Sequence, residues 1–197
     1  MNGPRTFRRW VLVPLFLLSG LSAYGVEVRA QSVDVKDWVI EFRGDKSPGA
    51  GGVALRTFYV LKNITVGKHV GYGRREYGVN LVWDAPLPVD DGNVRFDSRA
   101  GSGVLKMGEP VAVYVKGGGY LYYKEREYGI NLEYSLTPAY QWEFCGDGSA
   151  GTTTPAKFRT NVSLYNSKTQ DYVAYCKREY GINLRWARDC KPANHRP

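Results

Sequence analysis

The sequence predicts an all-β fold made from three copies of one four-stranded unit. Three observations predict it. First, one phrase recurs as Arg75-Glu-Tyr-Gly-Val-Asn-Leu-Val-Trp83, Arg126-Glu-Tyr-Gly-Ile-Asn-Leu-Glu-Tyr134 and Arg178-Glu-Tyr-Gly-Ile-Asn-Leu-Arg-Trp186, with 51 residues from Glu76 to Glu127 and 52 from Glu127 to Glu179. Self-similarity at a fixed period of this length marks a supersecondary unit used repeatedly. Second, short runs alternate apolar and polar residues with period two and are separated by turn-forming residues. Third, no stretch after residue 30 carries the period of a long amphipathic helix.

The first segment is read apart from the fold. Arg5, Arg8 and Arg9 precede an apolar run from Trp10 to Leu21, and Val28-Arg29-Ala30 offers small residues before Gln31. This is the pattern of a secretory signal peptide over residues 1–30. The apolar run has about 12 residues against the roughly 20 that span a bilayer, so no membrane span is expected after cleavage. Residues 31–197 then form a single domain, exported to the periplasm or secreted.

The repeats occupy about 37–87, 93–138 and 140–190. In the first, strands are expected at Trp38–Phe42, Ala54–Lys62, Lys68–Gly73 and Val79–Trp83. The second offers Val94–Asp97, Pro110–Val115, Tyr120–Lys124 and Ile130–Tyr134. In the third, the strands are Tyr140–Phe144, Phe158–Tyr165, Tyr172–Cys176 and Ile182–Trp186. Gaps such as Asn166-Ser-Lys-Thr-Gln-Asp171 and Lys116-Gly-Gly-Gly119 supply turn residues.

Within the phrase, parity separates core from surface. Val79, Leu81 and Trp83 share one strand face, as do Ile130, Leu132 and Tyr134, and Ile182, Leu184 and Trp186. The strand before each contributes Val70 and Tyr72, Leu121 and Tyr123, and Val173 and Tyr175 to the same interior. Gly78, Gly129 and Gly181 close the connection between third and fourth strands, where a positive φ or a close approach excludes a side chain.

Asn80, Asn131 and Asn183 point opposite to the apolar set. A repeated Asn serves either to hydrogen-bond loop backbone or to offer an amide to a sugar hydroxyl. The same choice holds for Arg75, Glu76 and Tyr77, for Arg126, Glu127 and Tyr128, and for Arg178, Glu179 and Tyr180. These lie in connections that solvent or a partner reaches. A surface Arg–Glu pair contributes at most about 1 kcal/mol, a weak reason to write it three times for stability. A carboxylate, a guanidinium and an aromatic face are the few convergent groups that a saccharide site needs.

Cys145, Cys176 and Cys190 all fall in the third repeat and have no counterparts in the others. An exported compartment permits a disulfide. The pairing expected is Cys145 with Cys190, closing the third repeat's first strand onto the tail, although spacing alone does not choose among the pairs. The only histidines are His69 and His195, so no zinc pattern is present, and no metal or cofactor is expected. The absence of a nucleophile elbow and of any repeated His argues against an enzyme. The repeated glutamates are expected to stand around the molecule rather than together, which also argues against a paired-carboxylate glycosidase.

The chain carries +8, and removing the four arginines and one glutamate of the first 30 residues leaves about +5. Basic and acidic residues alternate along most of its length, without the basic stripe of a nucleic-acid protein. No nucleic-acid partner is expected.

Twelve short strands in three equivalent groups resemble the β-trefoil, with pseudo-threefold symmetry over residues 37–187. Many β-trefoils are lectins, and the resemblance implies an exported, non-enzymatic carbohydrate-binding protein, its partner a glycan or cell-surface polysaccharide met at the repeated loops. The chain departs from the ricin-like pattern, which repeats Gln-x-Trp, whereas Asn-Leu-x-Trp or Asn-Leu-x-Tyr stands here; ricin-type sugar positions are not carried over. The alternative is a protein-binding module such as a protease inhibitor, using one unrepeated loop at Gly44–Gly52 or Gly146–Pro155.

Overall fold

The computed structural model describes residues 34–42, 52–87, 92–146, 154–178 and 180–190, all within the compact unit Gln31–Pro197. The signal segment, most of the two unrepeated loops, Glu179 and His195 lie outside the described residues.

Among the described residues twelve strands appear, four in each repeat. The first repeat holds β1 (Trp38–Glu41), β2 (Phe58–Asn63), β3 (Lys68–Tyr72) and β4 (Leu81–Trp83). The second holds β5 (Val94–Ser98), β6 (Val111–Val115), β7 (Gly119–Tyr123) and β8 (Leu132–Ser135), and the third β9 (Trp142–Cys145), β10 (Ser163–Asn166), β11 (Asp171–Tyr175) and β12 (Leu184–Trp186). One 3-10 turn, Ala187–Asp189, follows β12 and had no sequence signal.

Five strand starts differ from the expected ones for a backbone reason. β2 and β10 begin later than Ala54 and Phe158, because Arg56 and Arg159 take φ of 62° and 55°, a left-handed conformation that interrupts extended pairing. The fourth strands begin at Leu81, Leu132 and Leu184. The N–H of each donates to the carbonyl two residues earlier, at 2.7 Å in all three repeats, and this tight turn takes Val79, Ile130 and Ile182 out of the ladder.

The strands form one curled antiparallel sheet, a half-barrel. β1–β2, β2–β5, β5–β6, β6–β9 and β9–β10 pair in series, and each repeat adds its third and fourth strands as an antiparallel pair. Beyond the last of these, Trp38 and Val162 exchange two backbone hydrogen bonds, with Trp38 N donating at 3.2 Å and Val162 N at 2.8 Å.

The concave side holds the core, and its layers are written in triplicate. Leu61, Val113 and Leu164 come from the second strands, Val70, Leu121 and Val173 from the third, and Leu81, Leu132 and Leu184 from the fourth; all are buried around a cavity of ≈ 20 Å³. Each such side chain removed from water is worth roughly 1.5–3 kcal/mol, so the leucine of the repeated phrase is explained by packing. Trp38 and Trp142 fill the first-strand position of two repeats. A buried indole N–H needs an acceptor. Trp38 donates to the Val173 carbonyl at 2.8 Å and Trp142 to that of Leu121 at 2.6 Å, in each case on a third strand of another repeat.

The aromatic residues at the ends of the hairpins link the repeats in turn. Tyr72 meets Tyr134 of the second repeat with ring centroids 5.8 Å apart, Tyr123 meets Trp186 of the third at 6.1 Å, and Tyr175 meets Trp83 of the first at 6.3 Å. Pairs at these distances add about 0.5–1.5 kcal/mol beyond burial. Tyr134 also donates its hydroxyl to the Asn80 carbonyl at 3.2 Å; burial, with Tyr72 and Glu133 nearby, pushes its pKa well above the usual range.

The disulfide is Cys176–Cys190, with Cα atoms 5.9 Å apart, and not the expected Cys145–Cys190. Cys145 is a free thiol, fully buried in β9, where burial and the nearby Glu143 raise its pKa. Cys176 directly follows β11, and the 3-10 turn after β12 carries Cys190 against it. Both thus flank the β11–β12 pair, a relation that linear spacing does not reveal.

Candidate functional site

The three Arg-Glu-Tyr-Gly connections have one backbone design. Gly78, Gly129 and Gly181 take φ of 81°, 90° and 87°, so the positive φ expected of them is present. The asparagine carboxamide then ties the loop to itself. Asn80 Oδ1 accepts from Arg75 N at 2.9 Å, Asn131 Oδ1 from Arg126 N at 3.2 Å, and Asn183 Oδ1 from Arg178 N at 2.9 Å. The backbone carbonyls of the same asparagines accept from Gly73, Lys124 and Cys176, closing the loop from its other side. Of the two roles open to the asparagines, the carboxamide oxygen serves the loop backbone. Its partner is five residues earlier in the same loop rather than on a neighbouring strand.

That closure projects the tyrosines outward. Tyr77, Tyr128 and Tyr180 are 66%, 64% and 76% exposed, whereas the other aromatic side chains among the described residues are buried or half-buried. They do not pack inward, and they do not stand apart. A Cβ placed on Gly129 would lie 3.3 Å from the Gly78 Cα, which shows how closely the first two loops approach. All three tyrosines line a single hollow of ≈ 240 Å³, floored by Gly78, Gly129 and Gly181 and walled on one side by Arg178 and Arg185.

Two larger hollows flank it. One, of ≈ 400 Å³, lies between the first and second loops and includes Glu76, Tyr77, Lys124, Arg126, Glu127, Tyr128 and Glu133. The other, of ≈ 350 Å³, lies between the second and third and includes Asn131, Arg178, Arg185, Trp186, Arg188 and Asp189. The expectation that the repeated glutamates stand far apart is therefore corrected: Glu76 and Glu127 line the same hollow, because the loops converge instead of spreading around the molecule. Both are exposed at its rim. Glu179, the third of the set, is outside the described residues.

Charges are organised differently in each repeat. Among the described residues, no ion pair joins a repeated arginine to the glutamate beside it. Arg126 Nη1 instead donates to Glu133 Oε2 at 2.6 Å, and its Nη2 donates to the Gly78 carbonyl of the neighbouring loop at 3.0 Å. Arg178 Nη1 donates to the Leu184 carbonyl at 3.2 Å, and burial together with the adjacent Arg185 guanidinium lowers its pKa while Asp189 acts the other way. A hydrogen bond with Glu127 raises the pKa of the Tyr128 hydroxyl.

The hollow thus offers three phenol faces with hydroxyls, and guanidinium donors on one wall. Sequence reasoning nominated the tyrosines, Arg178 and the rim glutamates, but it missed Glu133 and Arg185. The signal was an exception within the repeat: one register position reads Val82, Glu133 and Arg185, while the position before it is always Leu and the one after it always aromatic. No group of three His, Cys, Asp or Glu that could hold a metal ion occurs among the described residues, and no helix there is long and apolar enough to cross a membrane. Comparison with protein-family models, curated proteins and solved structures found no match.

Proposed function

We propose that the chain is an exported carbohydrate-binding protein of β-trefoil architecture that takes a saccharide on the platform formed by Tyr77, Tyr128 and Tyr180. The observation that carries the reading is the exposure of three repeated tyrosines around one hollow. A phenol face covers the apolar face of a pyranose, while the surrounding arginines, glutamates and phenol hydroxyls exchange hydrogen bonds with sugar hydroxyls. The trefoil reading is supported by the bridge from Trp38 to Val162, which brings the series of barrel-type strand pairs back to its start, and by aromatic contacts that run from each repeat to the next and return. Export is supported by the Cys176–Cys190 disulfide, a bond that persists in oxidising compartments.

The test is a broad glycan array probed with residues 31–197 and with a Tyr77/Tyr128/Tyr180→Ala variant that retains the wild-type unfolding transition. Selective binding by the wild type and its loss in the variant is the expected result. Selective binding that survives all three substitutions places the sugar elsewhere and defeats this reading.

A further inference from the structure

Resting on the carbohydrate reading, we infer that the site takes an acidic saccharide, and that Arg178 and Arg185 on the third-repeat wall of the hollow receive its carboxylate or sulfate group. The inference comes from a break in the repeat. Val82, Glu133 and Arg185 occupy the same register, opposite Gly71, Tyr122 and Ala174 on the neighbouring third strands. Within the nine-residue phrase, the one position that varies in charge therefore faces the same place in each hairpin.

In the second repeat the acid at this position neutralises the loop arginine through the 2.6 Å contact of Arg126 with Glu133. In the third, an arginine stands where that acid would be. Arg178 and Arg185 are near enough for the second to depress the ionisation of the first; Asp189 on the same flank offsets this in part, but among the described residues no carboxylate forms a salt bridge with either arginine. Arg178 donates to the Leu184 carbonyl at 3.2 Å and Arg185 to the Asp189 carbonyl at 3.5 Å, both backbone acceptors. Arg188, which borders the same flank, differs in being held by Asp171 at 2.8 Å. Two guanidinium groups side by side repel each other, and an anion between them relieves the repulsion.

Their placement fits a ligand more than a fold role. Both line the central hollow with the tyrosines and also the flanking hollow of ≈ 350 Å³, so an anion held there would sit beside a ring stacked on the platform. A guanidinium presents a planar fork that matches a carboxylate or sulfate, which a neutral hydroxyl does not exploit. The Cys176–Cys190 disulfide anchors the residue after Asp189 to the residue two before Arg178, fixing both sides of this flank. The opposite hollow, with Glu76, Glu127 and Glu133 against Lys124 and Arg126, has no such excess of positive charge among its described residues. The anionic group is therefore directed to one side of a platform that is otherwise threefold.

The experiment measures binding of an oligouronate beside its methyl ester, and of a sulfated oligosaccharide beside its desulfated form, at low and at physiological salt. The wild type is compared with Arg185→Glu, which installs the residue that the second repeat carries, and with Arg185→Val, which installs that of the first; either suffices if the other fails to fold. Loss of one charge-assisted contact predicts a fall in affinity for the acidic sugar of about tenfold or more, with the neutral control changed by less than about twofold. The preference for whichever acid binds is expected to shrink as salt rises. Preference for the uronate identifies a carboxylate ligand and preference for the sulfated sugar a sulfate ligand. Equal affinity for acidic and neutral forms, or acid binding untouched by both substitutions, overturns the anion site while leaving the carbohydrate reading standing. Failure of every saccharide, acidic and neutral, overturns both.

Discussion

Replacing Cys190 by serine opens the clamp between Cys176 and Cys190, and its cost follows from the length of chain enclosed. The two residues are 14 apart in sequence, so the bond closes a loop of about 15 residues in the unfolded chain. Loop-closure entropy for that length gives about 3 kcal/mol of stabilisation at 25 °C. For a domain of this size each kcal/mol moves the midpoint by roughly 2–4 °C, so the transition is expected to fall by about 6–12 °C. Chemical and thermal unfolding of protein produced under oxidising conditions supply the assay. Cys176→Ser should show the same loss, and the double variant no more than either single one, because each removes the same bond. Cys145→Ala should keep the bond, losing only what its buried sulfur contributes to packing. After denaturation without reductant, one thiol per chain should react, and it should map to Cys145. A Cys145→Ala variant that loses about 3 kcal/mol and frees a second thiol would refute the assignment of the bond.

Three further outcomes test the packing and the loops. Leu132→Ala, at 1% exposure in the fourth-strand layer, is expected to cost about 2–5 kcal/mol in denaturant unfolding; a cost within 0.5 kcal/mol, the usual scale of a surface change, would remove it from the core. Asn80→Ala deletes the acceptor for Arg75 N at 2.9 Å and should cost about 1 kcal/mol, with little change if the asparagine is only a ligand contact. Asp37 is buried, and although Oδ2 accepts from Asn63 at 2.7 Å and Tyr175 N at 3.0 Å, Oδ1 has no partner among the described residues. Desolvation outweighs those hydrogen bonds and raises its pKa above the usual aspartate value. Since the folded pKa is the higher, its contribution is fully present below the unfolded pKa and is lost as pH rises through the folded one. Asp37→Asn keeps an acceptor oxygen and removes the ionisation, so it should gain on the wild type at pH 7 and lose that advantage at pH 3; an equal difference at both pH values would contradict this.

Periodicity made much of the fold legible because a half-buried strand must alternate. Val70, Leu81, Leu132 and Val173 are buried as their parity requires, and all twelve strands occur where short alternating runs were found. The ends of strands were less legible, since the left-handed Arg56 and Arg159 and the tight turns before Leu81, Leu132 and Leu184 are tertiary compromises without a residue signature. Within the site, glycine geometry could be read from the sequence, and asparagine could be narrowed to two roles. The meeting of Tyr77, Tyr128 and Tyr180 in one hollow could not, because a linear repeat gives no indication whether equivalent loops converge or diverge. The disulfide was missed for a related reason: the turn that brings Cys190 to Cys176 is set by three-dimensional packing after β12.

Convergence is the central claim, and stoichiometry tests it most directly. A saccharide selected from the array would be titrated calorimetrically into the wild type and into Tyr77→Ala, Tyr128→Ala and Tyr180→Ala separately. The account predicts one ligand per chain, with each substitution weakening that single event by about tenfold, the scale of a lost aromatic contact of 1.4 kcal/mol. Three equivalent ligands per chain, with each substitution removing one and sparing the other two, would contradict it.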